Sequence, residues 1–172
     1  ARKRPLPAFP RRLGLVTSAA GAAQHDVAQT LARRAPHLPV LFAPASVQGA
    51  AAPAELIAAL QALCTLPPAQ RPDVILLVRG GGSAEDLAAF NDEALARCIA
   101  ASPVPIISGV GHESDYSIAD MVADMRAATP TAAAELAAPE RSTLLAELDG
   151  QSARLEQQIR QRLDRAGQWL DH

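Results

Sequence analysis

The sequence predicts an α/β domain with an open, mostly parallel four-stranded sheet, helices on both faces, and a long C-terminal amphipathic helix. Four short apolar runs rich in β-branched residues alternate with alanine-rich helical stretches. The runs at 74–78 and 104–107 are almost continuously apolar, which is typical of strands covered on both faces. From residue 139, leucines recur at helical spacing. Strands that alternate with helices favour right-handed crossovers and a parallel sheet.

Each predicted element is bounded by its own sequence signals. The strands end in Gly, Ser or Pro, and we place them at residues 13–17, 38–42, 74–78 and 104–108. The helices between and after them are expected at residues 22–34, 53–66, 84–101 and 115–124. The run Thr129-Pro130-Thr131 has the character of an N-cap and predicts a further turn at 132–137.

Beyond Pro139 the chain changes character. Glycine becomes rare, charges alternate in sign, and apolar residues recur at three- and four-residue steps, at Leu144, Leu148, Leu155, Ile159, Leu163, Ala166 and Leu170. This pattern predicts one long helix, interrupted at Gly150, that either begins a coiled coil or packs back on the domain. The chain starts at Ala1 rather than Met and the pattern is still running at its end. We therefore expect a piece of a longer protein.

Composition limits the classes of protein that fit. The chain has 172 residues, and its 49% hydrophobic content includes 38 alanines, yet enough large apolar residues remain for one compact core. No run is long enough to cross a membrane, and no secretory signal is present. The net charge of −2 argues against a strongly basic nucleic-acid coat. Cys64 and Cys98 lack zinc-ligand spacing, so we expect free thiols in a reducing cytoplasm.

The candidate site follows from where the polar loops fall. Ligands of open parallel sheets bind beyond the carboxyl ends of the strands. Three loops with glycine lie there, at 17–21, 79–83 and 109–115. In the second, Gly80, Gly81 and Gly82 can turn backbone N–H groups toward an anion, Ser83 can cap the next helix, and Arg79 suits phosphate oxygens. The alternative is a tight turn with Arg79 in a surface ion pair.

Residues of the third loop and of the first helix could supply acid–base chemistry. His112 and Asp115 are three residues apart, so the carboxylate can orient the imidazole as a general base or acid. Asp26 lies in the second turn of the first helix and could reach the same edge. We interpret Asp120 and Asp124 as a solvated helix face, although paired carboxylates could hold Mg²⁺. No group has convincing metal-ligand spacing, so the sequence predicts no metal site.

A set of ordered motifs resembles a known family. They are Phe9-Pro10-Arg11-Arg12-Leu13-Gly14-Leu15-Val16-Thr17-Ser18, Gly21-Ala22-Ala23 with Asp26, Pro44 with Val47-Gln48-Gly49, Val78-Arg79-Gly80-Gly81-Gly82-Ser83 with Glu85-Asp86-Leu87 and Phe90-Asn91, Val110-Gly111-His112-Glu113-Ser114-Asp115, and Arg126 with Thr129-Pro130-Thr131-Ala132-Ala133-Ala134-Glu135. Together they span residues 9–140. In these motifs the chain closely resembles the central catalytic domain of exodeoxyribonuclease VII large subunits.

The resemblance implies a bacterial hydrolase of single-stranded DNA that works from both ends, releases short oligonucleotides and has no obligatory metal, with Mg²⁺ as a further option. It places the catalytic residues at Asp26, Arg79, His112 and Asp115. Thr17, Ser18 and the Gly80, Gly81, Gly82, Ser83 loop would bind the substrate phosphate. Residues 1–12 would be a linker from an N-terminal OB-fold domain, 13–138 the catalytic domain, and 139–172 the start of a helical region that binds several copies of a small subunit.

Two other functions remain open on the residues alone. The cleft could bind a nucleotide or sugar phosphate without catalysis, since nothing in the glycine loop demands a reaction. The chain could also serve mainly as a scaffold that docks partners through the helix after Pro139.

Overall fold

The computed structural model describes residues 3–81, 84–111 and 115–170. The chain divides into two compact units, Ala1–Pro139 and Glu140–His172. The first unit holds a five-stranded sheet in the order β2-β1-β3-β4-β5, in which every pair of neighbours is parallel. The strands are β1 (Leu13–Thr17), β2 (Val40–Pro44), β3 (Val74–Val78), β4 (Ile106–Gly109) and β5 (Met125–Arg126). The predicted parallel α/β architecture is confirmed, with one strand more than expected.

Helices cover both faces of the sheet, and two apolar clusters show how. The helices of the chain are α1 (Ala22–Arg34), α2 (Ala52–Cys64), α3 (Glu93–Ala101), α4 (Ile118–Val122), α5 (Pro130–Ala137) and α6 (Arg141–Leu170), with a 3₁₀ helix at Ala84–Asn91. Leu76 and Val78 of β3 pack with α1 and α5, whereas Ile75 and Leu77 pack with α2, α3 and α4. Alternate residues of one strand therefore enter two cores, as in doubly covered parallel sheets.

The bounds of β1, β3 and α1 match the prediction, whereas β2 and β4 begin two residues later than predicted. At β2, Leu38 is held in a turn because its N–H donates to the Ala35 carbonyl. At β4, the Ser102 hydroxyl binds both the N–H and the carbonyl oxygen of Val104 and so keeps that residue out of the ladder. The strand β5 was missed because two residues carry no apolar pattern.

One predicted helix divides into two. Instead of a single helix over 84–101, a 3₁₀ helix precedes α3. The division falls at Asp92, whose extended backbone and side chain, accepting from Leu95 N at 2.9 Å, make it the N-cap of α3. A side-chain cap of this kind stabilises the start of a helix. Asp92 therefore begins a new helix within a stretch that apolar periodicity had predicted as one.

The interpretation of Asp120 and Asp124 as a solvated face is wrong. Both are buried, at 2% and 7% exposure. The helix α4 is also shorter than predicted and begins after Ser117, which forms a capping box with Asp120. Asp120 accepts from Ser108 Oγ, while Asp124 accepts from Ile106 N and from Arg4. A buried charge requires hydrogen-bond partners, and these two carboxylates find theirs on β4 and on segments packed beside it.

The second unit is the helix α6, which runs through Gly150 without a break. The predicted interruption is wrong, since one glycine inside a helix costs only about 1 kcal/mol. Apolar side chains stand exposed along the helix at Leu145, Leu148, Leu155, Ile159 and Leu163. Over the described part of the chain, no helix combines the length and apolarity that crossing a membrane requires.

Candidate active site at the carboxyl edge of the sheet

The order of the strands creates a crevice between β1 and β3. The chain goes from β1 to β2 on one side and from β2 back across to β3 on the other, so the connections diverge at the carboxyl ends of β1 and β3. Such switch points are the usual ligand sites of open α/β sheets. A cavity of about 520 Å³ lies there, lined by Ser18, Gly21, Ala22, Ser46, Val47, Gln48, Arg79, Gly80 and Gly81. Its size suits a small ligand or one nucleotide of a chain.

Arg79 provides the charge of this cavity. It follows the last residue of β3, is only 4% exposed, and still lines the cavity. Its Nε donates to the Gly80 carbonyl at 3.2 Å, and its backbone N–H donates to the Gly109 carbonyl at 3.3 Å. Among the described residues of the lining, Arg79 carries the one charged side chain. The cavity therefore favours an anion.

The N-terminus of α1 opens into the same cavity. Gly21 is its N-cap and offers no side-chain cap, and the first turn of this fully described helix has no acidic residue. Gly80 packs against this turn, since a Cβ atom built on it would lie 3.5 Å from Ala23 N and 3.9 Å from Ala22 N. Free helix N–H groups attract anions. Within the described part of the chain, the N-cap residue gives those groups no side-chain hydrogen bond, and they lie at the same cavity as Arg79.

The loop after β4 is bound to the loop after β3. Beyond the Arg79–Gly109 hydrogen bond, Gly111 packs so closely against Asp115 that a Cβ on it would collide with the Asp115 carbonyl oxygen. Asp120 lies on the other side of Gly111, with Oδ2 2.8 Å from the same hypothetical Cβ. Glycine is therefore required at 111, and the two ends of the predicted catalytic loop are held together.

The structure brings only some of the predicted site residues into one place. Ser18, Arg79, Gly80 and Gly81 line the cavity together. Three predicted residues, Gly82, Ser83 and His112, lie outside the described part of the chain. The remaining three do not line the cavity: Asp26 is half-buried on α1, Asp115 is exposed beyond β4, and Thr17 is fully buried.

The model of the family described as "Exonuclease VII, large subunit" matches residues 1–172. The chain belongs to this family. It is 56% identical over 171 residues to an exodeoxyribonuclease 7 large subunit of Delftia acidovorans, a match that covers 91% of this chain and 38% of that relative. The corresponding protein of Ralstonia nicotianae is 53% identical over 171 residues, covering 99% of this chain and 38% of the relative.

The protein of the same name from Thiobacillus denitrificans is 51% identical over 179 residues, covering 100% of this chain and 39% of the relative. The chain thus spans somewhat over a third of the length of the curated relatives it matches.

Sequence reasoning missed the contribution of the loop after β2. Ser46, Val47 and Gln48 line one wall of the cavity. Ser46 is fixed because its N–H donates to Glu55 Oε2 at 2.8 Å, and Gly49 adopts a positive φ of 88° that favours glycine. The predicted end of β2 at residue 42 had separated these residues from the sheet edge. The motif of Pro44 with Val47-Gln48-Gly49, already part of the family resemblance, was the available signal.

In the described part of the chain, metal-binding side chains do not cluster as a metal ion would require. Within residues 3–81, 84–111 and 115–170, no three His, Cys, Asp or Glu side chains are grouped to hold a metal ion. Cys64 and Cys98 are free and half-buried. Burial raises the pKa of the Cys98 thiol, and the neighbouring Cys64 raises it further, so this thiol stays protonated at neutral pH. Glu55 is a described carboxylate that touches the cavity lining, since it accepts from Ser46 N at 2.8 Å, whereas Asp26 lies four residues beyond Ala22 on α1.

Proposed function

We propose that this chain is the catalytic domain of an exodeoxyribonuclease that hydrolyses phosphodiester bonds in single-stranded DNA. As the resemblance implies, it would work from both ends and release short oligonucleotides. The observation that carries the proposal is the cavity at the β1–β3 switch point, where Arg79, the α1 N-terminus and the glycine loop face one volume. A phosphate group is the anion that suits a guanidinium and a set of backbone amides. The family of the chain supplies the substrate.

Arg79 would hold the phosphate that is attacked. Its guanidinium and the backbone N–H groups of Gly80 to Ser83 would bind the non-bridging oxygens. The amides at the start of α1 would add positive potential from the opposite wall of the cavity. Negative charge grows on these oxygens as water attacks phosphorus. Donors that are already in place stabilise that charge without reorganisation, and this lowers the barrier.

His112 would carry the proton transfers. It would activate the attacking water or protonate the oxygen that leaves when the old P–O bond breaks, with Asp115 fixing its tautomer. The contact of Gly111 with Asp115 supports this role, because it brings the chain on either side of His112 together. Asp26 would position the water or act as a second base.

Mg²⁺ is not assigned a step in this reaction. If a cation takes part, it would neutralise phosphate charge, and Asp26 with Glu85 and Asp86 would be the carboxylates to hold it. Arg79 already supplies a positive charge to the cavity, which is why we assign the phosphate to protein groups first.

The helix α6 would serve assembly rather than chemistry. Its exposed row of Leu148, Leu155, Ile159 and Leu163 suits a helical partner, and the family resemblance implies several copies of a small subunit. The two free thiols suit a reducing cytoplasm. Deleting residues 140–172 should then abolish assembly while leaving binding in the cavity intact.

The test uses the full-length protein with its small subunit, as wild type and as His112→Ala. The release of acid-soluble fragments from single- and double-stranded DNA is followed at low salt, first in EDTA and then with Mg²⁺. We expect cleavage of single strands alone in EDTA and a loss of at least about a hundredfold in the variant.

Cleavage that requires Mg²⁺ would move the chemistry to the carboxylates. No cleavage under either condition would contradict the nuclease proposal. It would favour a binding module, in which case mononucleotides should protect the protein from thermal unfolding at least as well as oligonucleotides do.

A further inference from the structure

Tyr116 is an exposed aromatic residue in the loop between β4 and α4. Its side chain is 58% exposed, and the Arg126 guanidinium carbon lies 4.0 Å from the centroid of its ring. A cation at this distance is attracted to the ring face. One face of the ring is thus covered by Arg126, while more than half of the side chain remains open to solvent.

The backbone that carries Tyr116 is held firmly. The next residue, Ser117, is buried and donates to Asp120 Oδ2 through its N–H at 2.9 Å and its hydroxyl at 2.8 Å. Ile118 N donates to Asn91 Oδ1 at 2.8 Å. Asp120 also accepts from Ser108 of β4 at 2.6 Å. The backbone directly after Tyr116 is therefore held to the sheet, which limits how far the ring can move and lowers the entropy lost on binding.

The ring lies at the same edge of the sheet as Arg79. Arg79 is bound to Gly109 of β4, and Arg126 pairs with Ser108 of β4 in the sheet register. Since β3 and β5 flank β4 and Arg79 lies two residues farther along the strands than Arg126, their backbones are about 12 Å apart, from two strand spacings of ~4.8 Å and two rises of ~3.3 Å. A nucleic-acid strand whose phosphate lies at Arg79 would reach this ring within one or two nucleotides.

We propose that Tyr116, backed by Arg126, is a stacking platform for a base of the single strand close to the phosphate that is cleaved. This inference rests on the proposed function and adds a subsite to it. Aromatic faces bind bases without regard to sequence because every base has a π face. A base in a duplex is already stacked on its neighbours, so the platform would also favour single strands.

The first test compares two substitutions in the full-length protein with its small subunit. Tyr116→Ala removes the ring and should lower kcat/KM on single-stranded DNA by roughly ten- to a hundredfold, the effect of losing one stacked base. Tyr116→Phe keeps the ring and should stay within about twofold of wild type. Equal losses in both variants would assign the effect to the hydroxyl and overturn the platform. So would wild-type activity in Tyr116→Ala.

The second test uses the wild-type protein and therefore does not depend on a variant that folds. Single strands with one abasic nucleotide at successive positions are digested, and the cleavage sites are mapped. In the wild type, we expect the rate of cleavage to decrease at the bond that lies one fixed number of nucleotides from the abasic position. In Tyr116→Ala, the rate should no longer depend on that position. A flat profile in the wild type overturns the platform. Wild-type protein that does not cleave single strands at all would contradict the proposed function instead.

The same variants also test whether Tyr116 belongs to a contact with another protein chain. Ile118 and Met121, two and five residues after Tyr116, are also exposed, and exposed apolar side chains are typical of protein contacts as well. If Tyr116→Ala changes the mass of the assembly in solution while the abasic profile is unchanged, the residue belongs to a protein contact and the proposal is wrong.

Discussion

The two edges of the sheet use arginine in opposite ways. At the amino edge, Arg4 donates to buried Asp124 at 2.7 Å, and Arg11 meets Asp73 at 3.5 Å. At the carboxyl edge, Arg79 lines a cavity whose described lining contains no carboxylate. An arginine that the fold pairs with a carboxylate contributes to stability, whereas an arginine that lines a cavity can also contact a ligand. Burial alone does not separate the two roles, because Arg79 is more buried than Arg4.

Replacing Arg79 should have the largest effect. Arg79→Ala removes the cation from the cavity, and we expect the rate on single-stranded DNA to fall at least about a hundredfold. Arg79→Lys should recover only part of this loss, because an ammonium lacks the two-pronged geometry of guanidinium. Steady-state kinetics of the full-length protein measures both, with thermal unfolding as the check on the fold. A near-normal rate with unchanged DNA binding would contradict the assignment of Arg79.

Replacing Arg4 should lower the stability of the fold and leave the rate of cleavage nearly unchanged. Arg4→Ala leaves Asp124 buried without its main partner, and the free energy of unfolding should fall by about 2 kcal/mol. Chemical denaturation measures this loss. The rate per folded molecule should stay near that of the wild type, since Arg4 lies at the far edge from the cavity. A large loss of activity in folded Arg4→Ala would break the division of roles between the two edges.

Substitutions at two neighbouring glycines test whether the amides of α1 bind the phosphate at the carboxyl edge. A methyl group on Gly80 would lie in ordinary contact with the amides of Ala22 and Ala23, so Gly80→Ala should fold and yet cover the proposed phosphate site. We expect a loss of roughly tenfold in kcat/KM, comparable to one lost hydrogen bond to a charged group. Gly81→Ala is the matched comparison at a second residue of the cavity lining, because no atom of the described residues, and so neither of these amides, lies within 4 Å of its added Cβ. Equal rates in the two variants would argue against amide binding at α1.

The smallest expected effect is a dependence of stability on acid pH. Burial raises the pKa of Asp124, but the hydrogen bonds from Arg4 and from Ile106 N outweigh it and leave the pKa below its ordinary value. A carboxyl with a lowered folded pKa contributes stability above its unfolded pKa of about 3.9, and this contribution is lost as pH falls through the folded value. Stability should thus be flat with respect to Asp124 from pH 7 to 5 and fall below about pH 4.

The control for this pH dependence is Arg4→Ala, in which the acid limb should flatten. Denaturation curves collected at several pH values would measure it. An unchanged acid limb in the variant would mean that the Arg4 hydrogen bonds do not set the pKa of Asp124.

The elements that the sequence predicted best are those whose local pattern agrees with their burial. The strands β1 and β3 are buried along their whole length, and α1 has a clear amphipathic face, so periodicity alone located them. Leu38 and Val104 extended their strand patterns too early because apolar residues also occur in turns. Only hydrogen bonds to Ala35 and Ser102, which periodicity does not record, remove them from the ladder.

The chemistry-bearing loops could be predicted because strand ends in a parallel sheet share one edge. Ser18, Arg79, Gly80 and Gly81 could therefore be grouped from their positions after strands. The chain order could not reveal which side of β1 each later strand would occupy. The switch point between β1 and β3, and with it the wall formed by Ser46 and Gln48, depended on that choice.

The burial of two carboxylates could not be predicted from the sequence. Asp120 and Asp124 have the four-residue spacing of a solvated helix face, and by itself that spacing is silent about burial. Their roles depend on Ser108 and Arg4, which lie 12 and 120 residues away in sequence. Apolar periodicity is a local property of the chain, so the sequence determined the order and type of most elements. Partners for charged groups come from distant segments, so only the folded structure decided which charges stabilise it and which face the cavity.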